Sequence, residues 1–194
     1  MKVGEIPVTI QYLNNEPNML WMKQKEPTFG KVFDPKLFSK ILGLRLEDFS
    51  TKFPVQVVST GVPFFVVPLK SLESLRSCKI DRDTYFKLVR NQRAKSILVF
   101  SPEAYSKDGN LSVRVFTEYY GIPEDAATGS GNGCLAGYLS KYRYFGSKEI
   151  EVKVQQGYEI GRPSRLFLKA KSENEFAVMV GGRVFEVAEG TINV

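Results

Sequence analysis

Apolar and polar residues alternate near both ends of the chain with the two-residue period of a half-buried β-strand. At the start, Ile6, Val8 and Ile10 alternate with Pro or polar residues, and a second apolar segment, 19–24, follows a turn at 14–17. This pattern predicts a β-hairpin or two adjacent strands. Near the end, alternation predicts four further strands, at 150–154, 166–170, 176–180 and 184–187.

Two aspartates mark helix starts in the first half. Asp34 followed by Pro35 predicts a helix through Leu42, because Asp is a favoured N-cap and Pro fits the first helical position. Gly43 then ends this helix. Asp81 predicts a second helix, which extends to about residue 92.

The middle of the chain contains more continuous apolar runs. A strand at 55–58 and a turn at 59–61 lead into the run 62–69, which is typical of a strand buried on both faces. Two more strands are expected, at 96–100 and 111–116. The pattern predicts a β-rich α+β protein with a few helices and a boundary near residue 55.

The segment 121–138, GIPEDAATGSGNGCLAGY, stands out because it predicts a helix made of small residues. Between Ser130 and Ser140 there is no charged side chain. Each interior glycine costs about 0.8 to 1 kcal/mol relative to alanine, so tertiary contacts must stabilise this helix. We therefore expect a helix, 129–141, buried inside a curved sheet. One explanation is that its glycines only allow tight packing.

A second explanation is chemical. The first N–H groups of a helix lack internal partners and, with the positive end of the helix dipole, bind anions. Thr128, Gly129, Ser130 and Gly131 supply these amides, and Asp125 lies just upstream. A carboxylate base beside an anion site suits removal of a proton α to a carboxylate. Asp125 could equally act as a helix N-cap.

Composition removes several classes of enzyme. The 194 residues, 43% of them hydrophobic, are enough for one large domain or two small ones, and they include no histidine. This excludes Ser-His and Cys-His nucleophile pairs and the usual zinc and non-haem iron ligand sets. The two cysteines, Cys78 and Cys134, form no close pair, so neither a metal site nor a disulfide framework is expected. We interpret Cys134 as a packing residue.

Neither the charge nor the hydropathy of the chain indicates a nucleic-acid or membrane partner. The net charge is +6, but the basic residues are interleaved with acidic ones. Solvated surfaces explain them better than nucleic-acid binding does. No signal segment and no apolar run of membrane-spanning length occurs, so a cytoplasmic location is expected.

Four segments in order resemble the PhzF-like (phenazine-biosynthesis-like) family, relatives of diaminopimelate epimerase. They are GIPEDAATGSGNG at 121–133, QQGYEIGRPSRL at 155–166, VGGRVFEVAEG at 180–190 and STGVPFFVVPL at 59–69. The resemblance covers essentially the whole chain. It implies an α+β, diaminopimelate-epimerase-like fold, in which each of two lobes wraps a β-barrel-like sheet around a central helix.

Under this resemblance, the chain is divided into three parts. Residues 1–54 are a remnant of the first lobe, and 55–182 form the complete second lobe with its central helix 129–141. Residues 183–194 form a terminal strand that is expected to return to the first lobe. The active site is expected in the cleft between the lobes.

The resemblance also implies roles for particular residues. Asp125 matches an active-site aspartate, and Ser130, with the amides of Gly129 and Gly131, matches the group that holds the ligand carboxylate. Thr128 stands where cysteine-dependent epimerases carry a thiol, which favours the PhzF-like branch and chemistry without metal or organic cofactor. The residues expected to line the cleft are Thr60 and Gly61, whereas Arg162 is expected to be structural.

The chain departs from the family in one respect. Members carry a glutamate and a Gly-His pair in the first lobe, and no such segment is found here. We consider a split gene, a truncation and a stand-alone domain without catalysis. An uncovered sheet edge predicts a homodimer or a partner chain that supplies the first lobe.

Two functions therefore remain open from the sequence. The first is an isomerase or epimerase that transfers a proton on a small carboxylate-bearing metabolite and is incomplete without the absent segment. The second is a non-catalytic ligand-binding or interaction domain that keeps the scaffold. The identity of the substrate does not follow from the sequence.

Overall fold

Eleven strands and four α-helices make up the part of the chain that the computed structural model describes, residues 5–173, 175–185, 187–188 and 190–191. The strands are β1 (Val8–Leu13), β2 (Glu16–Lys23), β3 (Thr28–Phe33), β4 (Val55–Ser59), β5 (Pro63–Pro68), β6 (Ser96–Ser101), β7 (Leu111–Thr117), β8 (Ile122–Asp125), β9 (Glu149–Gln156), β10 (Ser164–Ser172) and β11 (Phe176–Arg183). The helices are α1 (Pro35–Leu42), α2 (Leu72–Ser77), α3 (Arg82–Val89) and α4 (Gly129–Lys141). None of these helices is long and apolar enough to cross a membrane.

All the strands belong to one mixed sheet. Its order is β1-β2-β11-β10-β9-β7-β6-β5-β4-β3, with the short strand β8 paired to β7. Neighbouring strands are antiparallel except for the β5–β6 and β7–β9 pairs. Helices α2 and α3 connect the first parallel pair, and α4 lies in the connection of the second, since parallel neighbours need a crossover.

The sheet wraps around α4. This helix contacts β4 and β5 on one side and β9, β10 and β11 on the other, although these two groups are far apart in the sheet order. Every residue from Gly131 to Ser140 is buried. The prediction of an α+β fold with a helix inside a curved sheet is therefore confirmed, with the helix at 129–141 as expected.

A second apolar core lies on the outer face of the sheet. Along β5, Phe64 and Val66 point toward α4, whereas Phe65 and Val67 pack against the layer of α1, α2 and α3. The run 62–69 is thus buried on both faces from Phe64 to Leu69, as predicted, whereas Val62 at its start is exposed.

Two glycines explain why α4 tolerates poor helix propensity. The connection between β2 and β3 crosses the helix directly over Gly133 and Gly137, which lie one turn apart. A Cβ atom added at Gly133 would lie 2.9 Å from Oε1 of Gln24, and one added at Gly137 would lie 2.8 Å from Cβ of Pro27. Close packing therefore offsets the propensity cost at these two positions.

Most local predictions agree with the structure. The hairpin β1–β2 turns through Asn14 and Asn15, both in the left-handed conformation, and Asp34 caps α1 through a 2.9 Å bond from the Lys36 amide. Helix α3 begins after Asp81 as predicted but ends at Val89, three residues earlier than expected. The sequence patterns missed β3, α2 and β8.

The predicted strand at 184–187 is wrong where it can be compared. Val184, Phe185 and Val187 are not in a strand, and residue 186 lies outside the described residues. Of the predicted terminal segment 183–194, residues 186, 189 and 192–194 lie outside the described residues, and the expected return of this segment to the first lobe stays a prediction. The division into 1–54 and 55–182 stays a prediction, although β3 pairs with β4 across it and β2 pairs with β11 at the other end of the sheet.

Candidate active site

The candidate site is built around the N-terminus of α4. Thr128 is the N-cap residue, with extended backbone angles, and its side chain makes no capping bond. The next three amides, of Gly129, Ser130 and Gly131, precede the first intrahelical bond and have no acceptor among the described residues. They are therefore available to an anion, whose charge the helix dipole would stabilise.

Asp125 ends strand β8 directly beside this helix start. It is half-buried, and its Oδ2 atom accepts a 2.6 Å hydrogen bond from the hydroxyl of Thr128. The alternative that Asp125 is the N-cap is wrong, because Thr128 occupies that position. Among the described residues, the second carboxylate oxygen, Oδ1, has no protein donor.

A buried ion pair fixes the strand that carries Asp125. Arg114 on β7 bonds both carboxylate oxygens of Glu124, at 3.0 and 2.7 Å, and both side chains are almost fully buried. The third nitrogen of the guanidinium, Nη1, donates to backbone carbonyls at the C-terminal end of α2. These carbonyls belong to Leu75, Arg76 and Cys78. The pair locks β8 to β7, as is typical of bidentate Arg–carboxylate contacts.

The end of β9 packs against the same turn. Gln156 is fully buried, and its Nε2 donates to the backbone carbonyl of Asp125 at 2.7 Å and to the hydroxyl of Thr128 at 3.1 Å. Asn132 of α4 donates to Oε1 of Gln156 at 2.8 Å. The next residue, Gly157, has a φ of +82°, and a Cβ there would lie 2.9 Å from the carbonyl of Ala126. Only glycine allows this close approach.

A cavity of about 880 Å³ opens at the helix start. Four predicted site residues meet on its wall: Thr60, Gly61, Gly129 and Ser130. Apolar side chains of β1, β2, β10 and β11 form much of the remainder. These include Val8, Leu20, Met22, Leu166 and Val180.

Three predicted residues are not on the cavity wall. Asp125 does not line it but contacts Thr128, Thr128 is buried, and Gly131 is buried against Phe64 and Leu98. At the helix start, Gly129 and Ser130 thus line the cavity, whereas Thr128 contacts Asp125. The roles predicted for all seven residues stay predictions.

The wall of the cavity is positively charged. Among the residues that the structure describes, it includes the four basic residues Lys23, Lys25, Arg165 and Arg183, and no acidic residue. Within the part of the chain that the structure describes, only Arg165 among them has a carboxylate partner, Asp108 at 3.1 Å. Cations around a concave surface raise the local concentration of anions, so this wall favours an anionic ligand.

Thiol chemistry finds no support at this site. Cys134 is fully buried 3.8 Å from the hydroxyl of Thr60, and burial raises the pKa of its thiol to about 11. The thiol therefore stays protonated near neutral pH, when it is a poor nucleophile.

Arg162 is exposed, and its backbone amide donates to the carbonyl of Gly157. Within the described ranges, no group of three or more acidic or cysteine residues could hold a metal ion.

Sequence reasoning missed Gln156, Asn132 and the basic wall. Gln156 lies on the same buried face of β9 as Ile150, Val152 and Val154. A polar residue at a position where the alternation predicts an apolar one could have indicated a special role. Its partners lie 24 to 31 positions away along the chain, and only the fold brings them together.

Comparison with known proteins agrees with this architecture. The family of phenazine biosynthesis-like proteins, PhzC-PhzF, matches residues 1–190. An uncharacterised isomerase from Clostridium acetobutylicum is 29% identical over 91% of this chain and 60% of its own length. The trans-2,3-dihydro-3-hydroxyanthranilate isomerase of Pseudomonas aeruginosa is 28% identical over 97% of this chain and 64% of its own length. The chain thus spans less than two thirds of these relatives.

Solved structures show the same fold. The phenazine biosynthesis protein of the PhzF family from Bacillus anthracis superposes with a TM-score of 0.81 at 26% identity, covering 97% of this chain and 67% of that one. A hydroxyproline epimerase from Agrobacterium vitis superposes with a TM-score of 0.52 at 11% identity, covering 92% of this chain and 53% of that one. This second likeness concerns the fold alone.

Proposed function

The chain belongs to the PhzC-PhzF family of phenazine biosynthesis-like proteins, and from this membership we propose that it takes part in an isomerase or epimerase reaction. The reaction is a proton transfer on a small substrate that bears a carboxylate, without metal or organic cofactor. Asp125 is one acid–base group, and the start of α4 binds the substrate carboxylate.

One observation carries this proposal. A carboxylate, Asp125, accepts a 2.6 Å hydrogen bond from the Thr128 hydroxyl beside the amides of Gly129 and Ser130, which have no acceptor among the described residues. Those two residues line a cavity whose described wall contains basic residues and no acidic ones. A proton acceptor therefore lies next to an anion site.

The chemistry follows from this arrangement. Asp125, as a carboxylate, takes the proton from the carbon α to the substrate carboxylate, and the electron pair of the broken C–H bond moves onto the carboxylate oxygens. The helix amides and the basic wall stabilise this enolate-like charge. An acid then returns a proton to another carbon, or to the opposite face of the same carbon.

A partner chain is proposed to supply the second acid–base group. Among the described residues, Asp125 is the only carboxylate bonded to the start of α4. A second identical copy repeats the same groups, so we favour a different chain that carries the first lobe. A homodimer remains the alternative partner.

The proposal is tested with trans-2,3-dihydro-3-hydroxyanthranilate, the compound in the name of the P. aeruginosa relative, and with a panel of small carboxylates. We expect the wild type, together with a first-lobe partner chain, to catalyse isomerisation, followed by absorbance or mass spectrometry, and Asp125→Asn to lose this activity under the same conditions. The matched control is Asp83→Asn, because Asp83 is exposed on α3. Equal activity of Asp125→Asn and the wild type would refute the role of Asp125.

A non-catalytic ligand-binding domain is the second candidate. It is favoured by the cavity, which has its carboxylate-binding wall within this chain, whereas the second acid–base group is not identified. In this case, a carboxylate would bind and shift the amide resonances of Gly129 and Ser130, but no proton would exchange with or without added partner chain. Turnover in any of these assays would exclude it.

A further inference from the structure

The side-chain amide of Gln156 has all four of its hydrogen-bonding positions occupied beneath the turn from Asp125 to Thr128. Nε2 donates to the carbonyl of Asp125 at 2.7 Å and to the hydroxyl of Thr128 at 3.1 Å. Oε1 accepts from Nδ2 of Asn132 at 2.8 Å and from the backbone amide of Thr128 at 3.4 Å. An amide has two donor and two acceptor positions, so none is left over.

These contacts fix the direction of each bond. The carbonyl of Asp125 can only accept, so Nε2 of Gln156 must face it. Nδ2 of Asn132 also donates to the carbonyl of Thr128 at 3.0 Å, which fixes that amide as well. Because the hydroxyl of Thr128 accepts from Gln156, its single proton points to Oδ2 of Asp125, 2.6 Å away.

We propose that Gln156 is a positioning residue for the proton transfer. It directs the Thr128 hydroxyl toward Asp125 and so holds one carboxylate oxygen, leaving the other for the substrate. This inference rests on the proposed function, since only there does Asp125 exchange a proton with a substrate. Without the hydrogen bond from Nε2 of Gln156, the Thr128 hydroxyl can rotate away from Asp125, and the carboxylate then loses the hydrogen bond that orients it.

The adjacent residue provides a matched control. Gln155 is also buried, but its side chain bonds Ser106, donating to Oγ at 2.6 Å and accepting from the backbone amide at 3.1 Å. Gln155→Glu and Gln156→Glu therefore make the same chemical change in neighbouring buried positions. Only the second change removes a donor from the Thr128 hydroxyl.

The first test measures the ¹³C chemical shift of the Asp125 carboxyl carbon by NMR in the full chain. The resonance is assigned by its absence in Asp125→Asn. We expect Gln156→Glu to move this resonance in the same direction as Thr128→Val, and Gln155→Glu to leave it in place. Gln156→Leu is the second variant if Gln156→Glu does not fold. An unmoved resonance in the Gln156 variants, or an equal movement in Gln155→Glu, would overturn the inference.

The second test measures solvent deuterium incorporation. Gln156→Glu should lower kcat roughly 10- to 100-fold, because small displacements of a reacting group carry costs of this size. KM should stay within about twofold, since the carboxylate-binding amides are untouched. Unchanged kcat in an active Gln156→Glu protein contradicts the inference. Inactivity of the wild type, even when a first-lobe partner chain is added, instead refutes the proposed function, and the NMR result still decides whether Gln156 orients Asp125.

Discussion

At the scale of single residues, the hydroxyl of Thr128 connects the helix start to Asp125. It is almost fully buried and bonds Oδ2 of Asp125 at 2.6 Å. A hydrogen bond to a charged group contributes about 1.5 to 3 kcal/mol, enough to hold a carboxylate in one orientation. Thr128 thus has a definite contact with the predicted acid–base group.

This contact leads to a prediction for Thr128. The isosteric change Thr128→Val removes the donor, and we expect proton exchange to fall roughly 10- to 100-fold while the fold stays intact. Thr128→Ser keeps the hydroxyl and should restore most of the rate. The measurement is the rate of solvent deuterium incorporation, with thermal unfolding as the control. Equal rates for the Val and Ser variants would refute the role of the hydroxyl.

The buried thiol of Cys134 predicts a dependence of stability on alkaline pH. Its pKa is raised from 9.0 to about 11, mainly by burial. Between these values the unfolded chain has lost the thiol proton and the folded chain keeps it, so the free energy of unfolding falls as pH rises. This fall should be shallower in Cys134→Ala, as measured by urea unfolding from pH 8 to pH 11. Parallel curves would show that the thiol titrates alike in both states.

Residues that meet through local sequence were predictable as neighbours. Asp125 and the amides of Gly129 and Ser130 lie within six positions of one another, so their proximity followed from the sequence, whereas their roles as base and anion site stay predictions. Gln156 could not be identified in this way, because its amide meets Asp125 across 31 positions. The basic wall could not be identified either, since its residues come from the region of Lys23 and Lys25 and from β10 and β11, which lie far apart in the sequence.

At the scale of elements, the glycines of α4 have two different roles. A Cβ at Gly137 would lie 2.8 Å from Pro27, whereas one at Gly129, which lines the cavity, would meet nothing within 4 Å. Packing therefore requires the first glycine, while the second has open space around it, as the proposed binding of a carboxylate there needs.

These roles predict opposite results for two alanine substitutions. Gly137→Ala should lower the free energy of unfolding by about 1 to 3 kcal/mol through overpacking. Gly129→Ala should leave it unchanged or raise it by up to about 1 kcal/mol, through better helix propensity, but weaken carboxylate binding. Urea unfolding and ligand titration by NMR measure the two effects. Strong destabilisation by Gly129→Ala would show that this glycine is also a packing residue.

Elements with clear end signals were predicted well. Asp34 and Gly43 bound α1 where the capping pattern placed it. The missed strands lack a clean pattern, because β3 contains Gly30 and a register irregularity, and β8 has only four residues, including Pro123 and two acidic residues. Their strand pairing comes from neighbours in the sheet and not from local preference.

At the scale of the whole molecule, β1 is the exposed end of the sheet. All six of its residues are exposed, and Val8 and Ile10 lie on the same face as the cavity. An uncharged, apolar edge strand of this kind favours association with another chain. Sequence alone could not place it, because β2 pairs with β11, which follows about 150 positions later in the chain.

The exposed strand predicts an effect on association. We expect the purified chain to self-associate with rising concentration, or to bind a chain that supplies the first lobe. Ile10→Lys should weaken this association, because it places a charge on the apolar face. Thr9→Lys, on the opposite face of the same strand, is the matched control. Sedimentation velocity measures the result, and a wild type that stays monomeric and binds no such chain would contradict it.

The deuterium content of recovered substrate most directly tests whether this site transfers protons. A panel of small carboxylates is incubated in D₂O with the chain, alone and together with a first-lobe partner, and then analysed by mass spectrometry. We predict incorporation at the carbon next to the carboxylate with the wild type, and none above background with Asp125→Asn. Incorporation that continues unchanged in Asp125→Asn would contradict the central claim.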